Sequence, residues 1–177
     1  MFTATVAANL DPFKQHTEEE LWRVLAQAQL EDHIRRLEGG LQHQISEGGG
    51  NMSVGQRQLI CLARALLQKA KILIMDEATA SVDLQTDAVI QSCIRHSFAS
   101  CTVITVAHRL DTIIQSDRII VLDGGSLKEF DAPHKLLQDP SSVFTSLVEE
   151  TGAVNCARLR SLAKEKHTLS FENAKSE

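Results

Sequence analysis

At 177 residues the chain is long enough for one domain with its own core, and its 43% hydrophobic and 23% charged residues are those of an ordinary soluble globular chain. A net charge of −5 argues against a nucleic-acid or anionic-membrane surface, and 4% aromatic residues with no tyrosine leave no platforms for stacked bases. No apolar run approaches the ~18–20 residues of a membrane span, and the N-terminus lacks the basic-then-apolar pattern of a secretory signal.

In chain order, the first fifty or so residues read as helical and polar. Asn9-Leu10-Asp11-Pro12-Phe13 is turn-like, because proline biases the residue before it away from helix. Thr17-Glu18-Glu19-Glu20 forms a capping box, and Leu21, Trp22, Leu25 and Ala28 follow at near-helical spacing. A short helix around Glu31 to Leu37 stops at Glu38-Gly39-Gly40. Gly48-Gly49-Gly50-Asn51 is expected to be a flexible loop. Ser53 then caps a helix with Gln56 in the capping-box position, and Leu59, Ile60, Leu62, Ala63, Leu66 and Leu67 supply a broad apolar stripe.

Lys71 to Asp76 is a nearly continuous apolar run, the pattern of a strand covered on both faces by helices. Asp87 to Phe98 is helical, and Thr102 to Ala107 is a second buried strand. Arg118 to Leu122 and Ser126 to Phe130 flank Asp123-Gly124-Gly125, the signal of a β-hairpin. Helical segments follow at about Pro133–Gln138 and Ser142–Glu150, with Gly152 as a stop. The polar tail from Ala153 starts helical and frays. This helix–strand–helix–strand order argues for an α/β fold with a parallel sheet. Cys61, Cys93, Cys101 and Cys156 form no C-x-x-C pair and read as free buried thiols, and no H-x-x-x-H pair suggests a metal cluster.

Several residues could carry chemistry. Asp76 and Glu77 end an apolar strand, and the carboxyl ends of strands line the ligand crevice of open α/β sheets. One such carboxylate can hold Mg²⁺ through water, and the other can orient or deprotonate an attacking water. Ser53-Val54-Gly55-Gln56 offers a hydroxyl, a glycine backbone and an amide at a helix N-terminus, which attracts anions. His108, after the second strand, could donate to a phosphate oxygen. Taken singly, each has a plainer reading. The acid pair can be a solvated edge, Ser53 a simple N-cap, His108 structural or exposed, and Asp83 the cap of the next helix.

Their joint order narrows the choice. Ser53-Val54-Gly55-Gln56-Arg57-Gln58-Leu59, then Asp76-Glu77-Ala78-Thr79-Ala80-Ser81-Val82-Asp83, then Ala107-His108-Arg109 closely resemble the ABC transporter ATPase domain: its signature, Walker B segment, D-loop and switch histidine. The resemblance covers about residues 1–152. Asn9–Phe13 and Leu59–Leu67 further resemble the second nucleotide-binding domain of the C subfamily, the multidrug-resistance-associated exporters.

The resemblance implies a P-loop NTPase-like α/β fold, partial because the Walker A half is lacking, with a helical subdomain at the N-terminus. It implies a partial ATPase domain over 1–152, mostly helical over 1–50 and carrying the signature helix, Walker B segment, D-loop, switch histidine and C-terminal hairpin and helices over 51–152, followed by a polar tail at 153–177. Glu77 would be the general base or water-orienting residue, and His108 would contact the γ-phosphate. Asp76 would be the Mg²⁺ carboxylate. Ser53, Val54, Gly55 and Gln56 would cap the γ-phosphate of ATP held by an opposing nucleotide-binding domain, with Asp83 reaching across that dimer. ATP and Mg²⁺ are the implied cofactors. The implied partners are that opposing domain and the transmembrane domains of an exporter, with the chain at the cytoplasmic face of a membrane and no nucleic acid involved.

Two departures stand out. Val54 replaces a glycine of the signature, as in the C subfamily's second domain, whose signature completes the less active of two composite sites. Glu77 is retained, so the site it faces would be the better hydrolytic one. The chain also contains no Gly-Lys dipeptide; the Walker A loop, the base-stacking aromatic and the Q-loop glutamine would precede Met1, and the isolated chain is expected to be inactive. A non-enzymatic alternative is a dimerisation or regulatory fragment that lends its signature to an intact partner. The DNA-repair and chromosome ATPases that share the signature fit less well, since they need a heptad-rich coiled coil before it.

Overall fold

A computed structural model describes residues 1–76, 82–107 and 109–173. Its contacts divide the chain into two compact units, Met1–Val106 and Ala107–Glu177.

The first unit begins with a two-residue strand β1 (Ala4–Thr5) and helix α1 (Val6–Leu10), followed by α2 (Glu18–Gln27) and α3 (Glu31–Arg36). Thr17 caps α2 in the expected reciprocal box with Glu20. β1 pairs antiparallel with β2 (Gln44–Ile45). Asn9 and Leu10, expected in a turn, end α1, and the turn follows at 11–14, closed by the Lys14 amide on the Asp11 carbonyl at 3.3 Å. Buried Asn9 donates from Nδ2 to the Phe2 and Thr5 carbonyls at 3.0 and 3.2 Å, and Asp11 accepts from the His16 amide at 2.7 Å.

Helix α4 (Val54–Leu67) is the centre of this unit and packs on α1 and α2. Leu59, Ile60, Leu62, Ala63 and Leu67 form its buried stripe, against Leu10, Leu25 and Ile34. Arg64 ties α4 to α1, donating from Nε to the Asn9 carbonyl at 2.9 Å. Among the cysteines only Cys93 is buried, while Cys61 is exposed and Cys101 and Cys156 are half-buried. Four buried thiols were expected; Cys61 escapes burial because it falls outside the α4 stripe.

After α4 come β3 (Ile72–Asp76), α5 (Leu84–Ser97) and β4 (Thr102–Val106). β3 and β4 pair in parallel, in register from Ile72↔Thr102 to Asp76↔Val106. This is the expected α/β crossover. The burial differs from expectation: Met75 is in the core and Leu73 and Val103 pack against it, but Ile72 and Ile74 are 60% and 69% exposed, and Ile104 and Val106 share their open face. A continuous apolar run puts apolar side chains on both faces of a strand. Among the described residues of this unit, only one of those faces is covered. Each large aliphatic side chain left in water forgoes about 1.5–3 kcal/mol of burial.

The second unit contains α6 (Leu110–Ile113), β5 (Ile119–Asp123), β6 (Ser126–Asp131), α7 (Pro133–Leu136), α8 (Val143–Glu149) and α9 (Ala153–Asn173). The hairpin β5–β6 turns on Gly124 and Gly125, whose φ values of +55° and +75° suit the primed turns of two-residue hairpins. Ile119 and Val121 face the core of this unit with Ile114, Leu137, Phe144, Val148, Leu159 and Ala163. Gly152, at φ +89°, ends the preceding helical segment as expected. As far as Asn173 the tail is one helix, anchored where Leu159 and Ala163 are buried and Arg160 donates to the Leu137 carbonyl at 2.6 Å; its last four residues lie outside the described ones. Among the described residues no helix is long and apolar enough to cross a membrane.

Candidate functional site

The segment Ser53–Gln56 forms the first turn of α4. Ser53 has extended backbone (φ −64°, ψ 160°) and caps the helix. Its Oγ accepts from the Gln56 amide at 3.1 Å, and Gln56 Oε1 accepts from the Ser53 amide at 2.8 Å. This reciprocal box uses acceptor groups only. The Ser53 hydroxyl proton and the Gln56 side-chain amide keep donor capacity, and the Val54 and Gly55 amides have no intrahelical carbonyl to reach. Gly55 is buried, so the Ser53 hydroxyl, the Val54 amide and the Gln56 side-chain amide are the donors left at the positive end of a fourteen-residue helix, an arrangement suited to an anion. Val54 occupies the N1 position without disturbing the cap.

The glycine-rich approach to this turn is pinned rather than flexible. Asn51 donates from Nδ2 to the Gln44 carbonyl at 2.8 Å and accepts the Ser46 amide at 3.0 Å. Arg57 reaches back from α4 to the carbonyls of Gly49 and Met52, at 3.1 and 3.0 Å. Gly49 has φ +77°, and a Cβ there would lie 2.6 Å from Arg57 Cδ. Glycine is therefore required at 49 on two counts, backbone conformation and space.

Asp83 is the N-cap of α5. One carboxylate oxygen accepts the Gln85 and Thr86 amides at 3.1 and 3.0 Å, and the other accepts the Thr86 hydroxyl at 2.6 Å. These bonds, the Thr86 hydroxyl foremost, hold the Asp83 carboxyl below its ordinary range although the group is open to water. The capping role expected of Asp83 is thus observed. Thr86 also touches the α4 turn at Gly55, so Gly55 and Asp83 are brought together through one side chain.

Asp76 ends β3 as an exposed carboxylate, level with Val106 at the end of β4. Among the described residues no group of three or more His, Cys, Asp or Glu side chains is placed to hold a metal ion. An exposed carboxylate suits Mg²⁺, which commonly takes one or two carboxylates and fills its other positions with water and phosphate. Glu77 and His108 lie outside the described residues. Sequence reasoning missed Asn51, Arg57 and Thr86. For Thr86 a signal exists, since a threonine three residues after a capping aspartate is placed to bond it. For Arg57 and Asn51 the partners are backbone carbonyls, which sequence does not mark.

A protein-family description, ABC transporter, matches residues 2–80. ABC transporter C family member 3 of Dictyostelium discoideum is 55% identical over 166 residues, which are 94% of this chain and 12% of that protein. ATP-binding cassette sub-family C member 4 of Homo sapiens is 54% identical over 165 residues, 93% of this chain and 12% of that protein. The chain therefore spans about 12% of the length of these curated relatives. Among solved structures, a bacterial Atm1-family ABC exporter with ATP bound is 32% identical with a TM-score of 0.77, over 86% of this chain and 27% of that one.

Proposed function

Because the chain belongs to the ABC transporter family, and within it to the C subfamily, we propose that it is part of an ATPase domain whose ATP binding and hydrolysis drive transmembrane export. The observation that carries this is the first turn of α4: a closed capping box that leaves the Ser53 hydroxyl proton and the Gln56 side-chain amide as unused donors, with Asp83 joined to the turn through Thr86. In this reading Ser53, Val54, Gly55 and Gln56 cap the γ-phosphate of a nucleotide held by an opposing domain, and Asp83 faces that domain. Asp76 holds Mg²⁺ through water, Glu77 orients or deprotonates the attacking water, and His108 donates a hydrogen bond to a γ-phosphate oxygen. Bound MgATP supplies the bond to be cleaved and a divalent charge beside its phosphates.

Residues 1–152 form the partial ATPase domain in this reading, with 153–177 appended as a tail. The domain works at the cytoplasmic face of a membrane, with transmembrane domains as partners. Val54 assigns this signature to the weaker of two composite sites, and Glu77 assigns its own site to the stronger.

The 177 residues contain no G-x-x-x-x-G-K-[ST] loop, so by themselves they lack the lysine and the nest of amides that stabilise three phosphates. Titrating the purified chain with ATP and Mg²⁺ should give no micromolar binding, and such binding would overturn the proposed inactivity. Replacing the matching segment of an intact C-subfamily exporter by residues 1–152 should preserve ATP turnover; an assembled exporter that binds ATP without turning it over would sink the functional reading. The fully formed signature turn also suits a second reading, in which the free chain lends its signature to an intact partner. Turnover restored by mixing it with a signature-defective domain would establish that role.

A further inference from the structure

A Cβ placed on Gly55 would fall 2.1 Å from Thr86 Cγ2 and 3.3 Å from Thr86 Cβ. Carbon atoms in contact sit about 3.5–4.0 Å apart, so no side chain fits at 55 while the Thr86 methyl stays where it is. Gly55 is inside α4 with ordinary helical backbone, so space rather than conformation demands glycine. The methyl, in turn, is not free to turn away. A helical threonine divides between two χ1 rotamers. Here the hydroxyl is committed to Asp83 Oδ2 at 2.6 Å and the amide of the same residue to Asp83 Oδ1 at 3.0 Å. Anchoring the hydroxyl selects the rotamer that presses the methyl onto Gly55.

From this geometry we infer that Thr86 is a positioning residue that locks the α4 first turn to Asp83, so that the two move as one body. Its hydroxyl reads the carboxylate and its methyl reads the missing Cβ of Gly55. The functional weight of this lock rests on the role proposed above for the signature and Asp83, because it would present both to the opposing domain in fixed relation. The contact itself needs no nucleotide. It also supplies a reason for Gly55 that differs from close approach of a phosphate.

The two reasons separate experimentally in the full 177-residue chain. Gly55→Ala should lower the melting midpoint by about 3–10 °C, as an overpacked contact does. Thr86→Ser keeps the hydroxyl and removes only the clashing methyl, so the double variant Gly55→Ala/Thr86→Ser should recover most of that loss. If Gly55→Ala yields no folded protein, recovery of folded protein by the added Thr86→Ser is the same result. Equal destabilisation of Gly55→Ala with and without Thr86→Ser would overturn the packing half. Thr86→Val keeps the methyl and removes the bond to Asp83. It should shift the NMR amide signals of Val54, Gly55 and Gln56 as well as that of Asp83, while Thr86→Ser, which keeps the bonds to Asp83 and loses the methyl contact, should move the signature amides and leave that of Asp83 near wild type. Signature amides unmoved in Thr86→Val would overturn the lock. None of these measurements contains ATP, so their failure refutes the lock alone; the functional reading fails separately, in the segment-replacement experiment.

Discussion

Glu129 offers the clearest single test of the second unit. It sits on β6, and its carboxylate closes the N-terminus of α8. Oε1 accepts the Val143 amide at 2.6 Å, while Oε2 accepts the Phe144 amide at 3.1 Å and the Ser142 hydroxyl at 3.0 Å. These are the otherwise unpartnered donors of a helix start, met by an anion at the positive end of the dipole. A hydrogen bond to a charged group contributes about 1.5–3 kcal/mol when desolvated, but the Val143 amide is exposed and water can replace the carboxylate there. The partly buried Phe144 amide and Ser142 hydroxyl carry most of the effect, which together with the dipole amounts to about 2–3 kcal/mol. For a chain of 177 residues that is roughly 4–12 °C in the melting midpoint. Glu129→Ala should show the whole loss by circular dichroism, and Glu129→Gln, which keeps one acceptor oxygen, about half. A Glu129→Ala midpoint within 1 °C of wild type would show that water serves the helix as well as the carboxylate does, and the accounting above would be wrong.

Ser53→Ala removes the acceptor for the Gln56 amide and should cost about 1 kcal/mol, read as an earlier urea midpoint; an unchanged midpoint would mean the box does not stabilise α4. In an intact exporter carrying residues 1–152, Glu77→Gln should abolish turnover while nucleotide binding persists, because an amide cannot accept the proton of water; wild-type hydrolysis in that variant refutes the role. His134 of α7 stacks on His167 of α9 with ring centroids 3.5 Å apart. Burial first, then His167 and Lys135, hold the His134 pKa below the ordinary histidine value, against the pull of Asp131. A lowered histidine pKa favours folding with the neutral ring. The contribution is therefore complete above about pH 6.5 and is lost as pH falls through the depressed value. Melting midpoints measured from pH 8 to 5 should decline in acid, and His134→Gln should flatten that decline; an identical decline in the variant refutes the assignment.

Much of the first unit was legible because its signals are local. Thr17–Glu20 and Ser53–Gln56 are capping boxes whose four residues hold both partners, and both form as expected. The Gly124-Gly125 hairpin is equally local, since two adjacent positive φ values select its turn. The α4 stripe carries enough periodic leucine and isoleucine to specify a buried face. Less legible was α1, only five residues long and held by the side chain of Asn9 rather than by periodicity.

The sequence by itself determined the order of the longer elements, the caps at Thr17, Ser53 and Asp83, the family and which residues stand as candidates, because each of these depends on neighbours a few positions apart or on motif spacing; the short β1, α1, β2 and α6 escaped it. It could not say that, among the described residues of the first unit, β3 and β4 have one apolar face uncovered, since a strand's composition records what a face could bury and not what lies against it. Nor could it reveal that Thr86 fills the Cβ position of Gly55 while bonding Asp83. Those two contacts join positions thirty-one and three residues apart on different helices and a cap. Only the packing of α4 against α5 brings them to one side chain, because close packing, unlike capping, is settled by distance in space and not along the chain.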